Sequence, residues 1–352
     1  MRGDSAPSLG HGRIIESDFR PHPLFRGAHA QTLAASLLRP VPALHIRRER
    51  LELADGDFVD IGWCGEKNSG GPIAVLVHGL TGGFESKYLR GTARKLIRRG
   101  WRCVILQLRG AGEEPNRTTR CYNHGDTADL RHLWWLLRAR EPRTPLYSAG
   151  WSLGANVTLK ALAEEGATAP VRAAVVACPP FQLEPCAERL RSGFSRIYQR
   201  KLLKELKASI RRKHALVPPP PGVNMEAALR ARDFFEFDNA YTAPLNGYAD
   251  ARDYYARAAC GPYLRHIRRP TLVMHALDDP FMQPSIVPSA RELSPHVTLE
   301  LAHKGGHVGY IAAGRYGLPT FWMEHRFADY LVSMTAAVRP IALDATAELA
   351  SS

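Results

Sequence analysis

A serine with glycines two residues to either side stands near the middle of the chain, in Gly150-Trp151-Ser152-Leu153-Gly154. The apolar run from Leu146 precedes it and a helical pattern follows. A strand, a sharp turn and a helix would put Ser152 at the apex, the glycines leaving room for a strained backbone and the Oγ pushed out beyond the sheet edge. A motif this short arises by chance about 0.1 times in a chain of this size, so its context decides. A nucleophilic serine needs a base to take its proton and a carboxylate to orient that base. Both occur downstream, in the order acid then histidine: Asp278-Asp279-Pro280 after the apolar run ending at His275, and His303-Lys304-Gly305-Gly306-His307 after the run ending at Leu301.

Of the two aspartates, Asp279 is the expected orienting acid, because it directly precedes the proline turn; Asp278 is then a supporting or capping residue, and the choice stays open. Of the two histidines, His307 is the expected base, since Gly305 and Gly306 give its loop room to reach the serine, whereas His303 lies close to the strand. A tetrahedral intermediate needs donors for its oxyanion. The backbone N–H of Leu153, at a helix N-terminus, is one expected donor, and that of Leu80, in His78-Gly79-Leu80, is the other. This chemistry requires no metal and no organic cofactor.

The elements that must position these residues alternate. Ile46–Leu53 and Phe58–Trp63 flank an Asp-Gly turn and predict an antiparallel hairpin. Pro72–Val77 is a continuous apolar run of the kind found in a strand buried on both faces, and Cys103–Leu108, the run from Leu146 into the Ser152 motif, and Val171–Cys178 are further strand-like apolar runs. Helices are expected over Ala28–Leu38, Lys87–Arg99, Thr127–Ala139 and after Ser152, with a last one from about Pro319 to Met334. This alternation predicts a mostly parallel central sheet flanked by helices. It lapses over 181–267, which is basic, aromatic and rich in helix formers, and predicts a mainly helical cap insertion. The expected organisation is a flexible tail over 1–18, a first core segment over 19–180, the cap, a second core segment over 268–338, and a tail over 339–352.

Composition narrows the class. In 352 residues, 45% hydrophobic and 23% charged are the proportions of a soluble globular protein. No apolar run approaches the roughly 20 residues needed to span a bilayer, and Met1–Arg20 lacks an apolar signal core, so a cytoplasmic location is the expectation. The six cysteines show no metal-binding spacing and are expected as buried free thiols. The net charge of +13 comes without a nucleic-acid-binding motif, so no nucleic-acid partner is expected.

On these residues the chain resembles the YheT-like α/β-hydrolases, bacterial relatives of the eukaryotic α/β-hydrolase-domain esterases and lipases. The resemblance runs from Arg20 to about Val338. It rests on His29-Ala30-Gln31-Thr32, Leu53 to Phe58, His78-Gly79-Leu80, Glu114 to Arg117, the Ser152 motif, Gly193 to Arg200, Gly247 to Asp250, Asp278 to Phe281 and Gly305 to Gly309. It implies the α/β-hydrolase fold and a serine hydrolase with Ser152, Asp279 and His307 as its triad. The implied substrates are short- to medium-chain carboxylic esters or acylglycerols. Ala155 departs from the family's second glycine, and Gly27 and Ala30 from its Asn and Leu; the added methyl at Ala155 bears on packing behind the nucleophile.

Two alternatives remain open at the level of sequence: amide or thioester hydrolysis by the same triad, and a non-catalytic binding protein that keeps the fold. The segment 188–213 carries ten Lys/Arg against two Glu, with Leu190, Phe194, Ile197, Leu203, Leu206 and Ile210 at helical spacing. That pattern suits either packing on the core or transient contact with an anionic membrane surface. The cap aromatics Phe234, Phe235, Phe237, Tyr241, Tyr254 and Tyr255 suit either an acyl pocket or a cap core. Oligomeric state has no signal.

Overall fold

The computed structural model describes residues 10–67 and 69–337. In chain order the first elements are β1 (Arg13–Glu16), α1 (Ala28–Leu38), β2 (Arg47–Glu52), β3 (Phe58–Cys64), β4 (Ile73–Val77), α2 (Lys87–Ile97), β5 (Arg102–Gln107), α3 (Ala128–Arg140), β6 (Leu146–Trp151), α4 (Leu153–Glu165) and β7 (Ala173–Ala177). A helical stretch follows: α5 (Leu183–Leu190), α6 (Arg196–His214), α7 (Met225–Arg230), α8 (Phe234–Phe237), a π-helical turn Asp238–Thr242, α9 (Ala243–Leu245) and α10 (Ala251–Ala258). The chain then returns through β8 (Thr271–Ala276), β9 (Val297–Ala302), β10 (Ile311–Ala313), β11 (Pro319–Phe321) and α11 (Trp322–Ala337).

Nine strands make one sheet in the order β1-β9-β8-β7-β6-β4-β5-β3-β2. All neighbours from β1 to β5 run parallel, and the β3–β5 and β2–β3 pairs are antiparallel. Every residue of β4, β5, β6, β7 and β8 is buried, which is why these strands read as unbroken apolar runs. From β4 the chain steps one way to β5 and then reverses to β6. Right-handed crossovers therefore place α2 and α3 on opposite faces. The two layers extend by pairing α11 with α2 and α4 with α3. Where the strand order reverses, the exits of β4 and β6 open a crevice, the place where open parallel sheets bind ligands.

The N-terminal segment differs from expectation. Instead of a free tail over 1–18, Arg13–Glu16 adds an edge strand parallel to β9. Ser17 N–H donates to Leu301 O (2.8 Å), and Ser17 Oγ–H to Glu300 Oε1 (2.8 Å). All four residues of β1 are exposed, so no hydrophobic pattern announces it; the unpaired backbone of β9 supplies the reason to form it. The last helix also starts later than the pattern suggests, because Pro319–Phe321 pairs antiparallel with Ile311–Ala313. The expected tail over 339–352 lies outside the described residues.

A buried polar node ties the loop after β5 to the start of β3. Arg109 donates to both carboxylate oxygens of Asp129 (3.0 and 2.6 Å) and to Asp55 (2.5 Å), and lies 3.5 Å from Asp57. Burial by itself would raise the Asp57 pKa, yet hydrogen bonds from Thr118 Oγ, the N–H groups of Phe58 and Arg117, and Asn116 Nδ2 bring it down to about 2. A carboxylate depressed in the folded state adds stability that is complete above its unfolded pKa of about 3.9 and fades as pH falls toward 2. Asp57→Asn should therefore flatten the loss of unfolding free energy between pH 4 and 2. Urea titrations at stepped pH would show this, and parallel acid limbs in variant and wild type would refute it.

Candidate active site

Ser152 sits at φ 52°, ψ −118°, in left-handed backbone that a side chain rarely accepts. What holds it there is the absence of two side chains. A Cβ on Gly150 would collide with the Gly154 carbonyl and Thr158, and one on Gly154 with the carbonyls of Val77 and His78. Without them, α4 tucks directly beneath the exit of β4, and the Ser152 N–H donates to Ala177 O (2.9 Å). Ala155 is fully buried, so its methyl is packed into the core rather than left facing the crevice.

The structure brings together the residues singled out in the sequence. Ser152 Oγ lies 2.9 Å from His307 Nε2, and His307 Nδ1 lies 2.8 Å from Asp279 Oδ2. With Asp279 ionised, Nδ1–H donates to it and Nε2 is left to accept the serine proton. Burial opposes ionisation of Asp279, but the adjoining His307, and the Phe281 N–H donating to Oδ1 (2.8 Å), hold its carboxyl below the usual range. Phe281 stacks on the imidazole at a centroid distance of 3.9 Å and an interplanar angle of 7°, which restricts ring rotation. Asp278 faces the other way and accepts the Gly306 N–H (3.0 Å), bracing the histidine loop. His303 is exposed, 3.8 Å from Glu16, and has no part in this cluster.

The loop after β4 is held by its own hydrogen bonds. His78 accepts the Leu108 N–H at Nε2 (3.1 Å), so its proton lies on Nδ1 and is donated to Gly79 O (2.7 Å). Gly79 N–H donates to Tyr88 Oη (2.9 Å) and Thr81 N–H to Tyr122 Oη (3.0 Å). Between them the Leu80 N–H has no acceptor among the described residues, and neither has the Leu153 N–H at the start of α4. Both therefore remain available as donors near Ser152.

Sequence reasoning singled out no role for α1, which clamps the histidine loop. Thr32 Oγ accepts the His307 N–H (2.9 Å) and donates to Ala28 O (2.8 Å). Gln31 exchanges two hydrogen bonds with the Ile311 backbone (2.6 and 3.0 Å), and Arg39 Nη2 donates to Val308 O and Gly309 O (2.9 and 3.1 Å). A polar residue on the packed face of α1, such as fully buried Gln31, was the available signal. Of the six non-glycine residues with positive φ among the described residues, five belong to the loops around this site: Thr81, Ser152, Cys178, Val308 and Tyr310. Such strain persists only where surrounding contacts over-determine the backbone.

A cavity of about 460 Å³ opens over Ser152 and His307. Leu183, Leu190, Leu202, Phe234 and Met282 form apolar wall, while His124, Asp238 and Tyr255 add polar groups. Of the aromatics flagged in the sequence, Phe234 and Tyr255 line the cavity, whereas Phe237, Tyr241 and Tyr254 are buried in the core of the helical stretch. Among the described residues, Cys178, Asp279 and His307 form a group of metal-capable donors within 4.8 Å of one another. Asp279 and His307 already bond each other, and burial pushes the Cys178 thiol up, which opposes the thiolate a metal would need.

Comparison with known proteins places this geometry. Residues 72–313 match the profile of the family described as the alpha/beta hydrolase fold. YheT of Escherichia coli (strain K12), named as a candidate esterase, is 39% identical over 323 residues, covering 91% of this chain and 95% of that protein. The human phospholipase ABHD3 is 26% identical over 334 residues, covering 92% of this chain and 81% of that protein. Among solved structures, the Pyrococcus furiosus esterase Pf2001 superposes with a TM-score of 0.53 at 13% identity, covering 93% of this chain and 98% of that one; it supports the fold alone.

If Thr32 positions the histidine loop, Thr32→Val leaves the His307 N–H without its acceptor, a penalty of about 1–3 kcal/mol. The rate of Ser152 labelling by a fluorophosphonate should then fall roughly tenfold. A variant that only melts earlier, with its labelling rate unchanged, would exclude this positioning role.

Proposed function

We propose, from the premise that this chain belongs to the YheT-like branch of the α/β-hydrolase fold family, that it is a serine-dependent carboxylic ester hydrolase. The observation that carries this reading is the unbroken hydrogen-bond chain from Ser152 through His307 to Asp279 at the floor of an apolar cavity. Ser152 Oγ attacks the ester carbonyl while its proton passes to His307 Nε2, and Asp279 stabilises the imidazolium that results. The N–H groups of Leu80 and Leu153 receive the oxyanion. His307 then gives the proton to the departing alcohol, leaving an acyl group on Ser152. Water, deprotonated by the same histidine, releases the acid and restores the serine.

The cavity's size and apolar wall support acyl groups of short to medium length, as simple esters or acylglycerols. In this reading 181–267 acts as a cap over a hydrolase core formed by 19–180 and 268–338. Its helix α6 turns Tyr198, Leu203 and Ile210 inward and leaves Ile197 about half exposed, like Phe194 in the turn just before it. Beside them Arg196, Arg200 and Lys204 are exposed, and among the described residues none lies within ion-pair distance of a carboxylate. This face supports transient contact with an anionic lipid surface. Among the described residues no helix is long and apolar enough to cross a membrane.

Ser152→Ala should abolish fluorophosphonate labelling, and with His307→Ala it should lower p-nitrophenyl ester turnover by several orders of magnitude. Across p-nitrophenyl esters from C2 to C16, kcat/KM should peak at short to medium chains; no Ser152-dependent turnover of any member would overturn the reading. For the surface contact, replacing Arg196, Arg200 and Lys204 with Ala should weaken binding to phosphatidylserine vesicles about 100-fold, at about 1 kcal/mol per cation, with p-nitrophenyl butyrate turnover unchanged. Equal binding of the wild type to purely phosphatidylcholine vesicles would argue against it.

A further inference from the structure

His124 is a half-buried histidine that the reaction as drawn above does not use, yet it lines the cavity that holds Ser152. Its loop is tied to both elements that carry the expected oxyanion donors. The His124 carbonyl accepts from Asn156 Nδ2 (2.8 Å), one turn into α4 from Ser152. Tyr122, two residues earlier, accepts the Thr81 N–H beside Leu80.

Hydrogen-bond accounting determines which ring nitrogen carries the proton. Tyr254 Oη accepts the His124 backbone N–H (3.2 Å) and lies 2.8 Å from His124 Nδ1. Among the described residues the Tyr254 hydroxyl has no other acceptor, and a buried hydroxyl proton without one is costly. It therefore goes to Nδ1, and the ring proton sits on Nε2. Nε2 has no protein partner among the described residues and is not among the sealed, unpaired atoms, so this edge of a cavity-lining residue is left free to meet a ligand. Burial pushes the His124 pKa down to about 4, so the ring is neutral near pH 7.

Strand order supplies the direction. Along the sheet edge the loops run from His307 after β9, through Asp279 after β8 and Ser152 after β6, to Leu80 after β4 and His124 after β5. The loops carrying the expected acid and base leave strands on one side of the Ser152 strand, and those carrying Leu80 and His124 leave strands on the other, so donors to the carbonyl oxygen would gather on that second side. We propose that His124 is a catalytic residue of this site, a neutral imidazole whose Nε2–H joins the Leu80 and Leu153 N–H groups as a donor to the oxyanion side of the substrate. The proposal rests on the esterase reading. It deepens that reading by adding a side-chain donor whose tautomer is set by Tyr254.

The test uses steady-state kinetics on p-nitrophenyl butyrate. His124→Phe keeps a flat ring but no donor, and should lower kcat about 100-fold, the loss typical of one oxyanion donor, with KM within threefold of wild type. His124→Gln, which restores an N–H at similar reach, should recover most of kcat. Tyr254→Phe frees the ring to adopt either tautomer and should lower kcat by less than His124→Phe does. A kcat for His124→Phe within threefold of wild type would overturn the proposal, as would equal losses in the Phe and Gln variants or a rise in KM at constant kcat. Should His124→Phe show no cooperative melt, Tyr254→Phe decides: wild-type kcat in that folded variant overturns the assignment. Wild-type turnover that Ser152→Ala does not remove would instead sink the esterase reading itself.

Discussion

The close approach of α4 to the exit of β4 is the contact on which the site depends. It forces Ser152 into left-handed backbone, a cost of order 1–3 kcal/mol. It is possible only because Gly150 and Gly154 place hydrogen where any other residue would place carbon against a carbonyl. The strain persists because α4 is buried over its first ten residues. On its buried face Asn156 donates to the carbonyls of His124 and Ala258 and accepts the Cys260 N–H, each at 2.8 Å. One amide thus joins the elbow helix to the loop after β5 and to the end of the helical stretch.

The remaining partners come to the serine from opposite ends of the chain. Asp279 and His307 leave adjacent strands, β8 and β9, so the sheet sets their spacing. A loop of glycines would not hold an imidazole still without further contacts. Phe281 stacks on the ring, Asp278 fixes Gly306, and α1 reaches across with Thr32, Gln31 and Arg39. Contacts of this kind hold the serine, histidine and aspartate side chains in one arrangement.

Three histidines around the site show how the same residue type is put to different uses. Burial keeps His78 neutral, and with its two nitrogens committed to Leu108 and Gly79 it serves to shape the Leu80 loop. His307 shares its nitrogens between Ser152 and Asp279. His124 lines the cavity, and among the described residues its ring bonds the protein through Nδ1 alone. The second ring nitrogen, rather than burial, separates a structural histidine from one that can meet a substrate.

The sequence by itself determined the sheet class, the order of serine, acid and histidine, and the helical interruption, because these depend on local pattern: apolar runs for strands buried on both faces, glycines at fixed offsets, and chain order. Its resemblance to known hydrolases added the family. It could not announce β1, whose exposed residues pair only because β9 offers a free edge. Nor could it divide the apolar stripe of 188–213 into buried Leu203 and Ile210 and half-exposed Phe194 and Ile197, or the aromatics of the helical stretch into core and cavity wall. The separate duties of Asp278 and Asp279, the clamp from Thr32 and the tautomer of His124 all arise from hydrogen bonds between residues far apart in the chain. Those were decided only by tertiary structure, since a donor's partner depends on where folding places it and not on its neighbours in sequence.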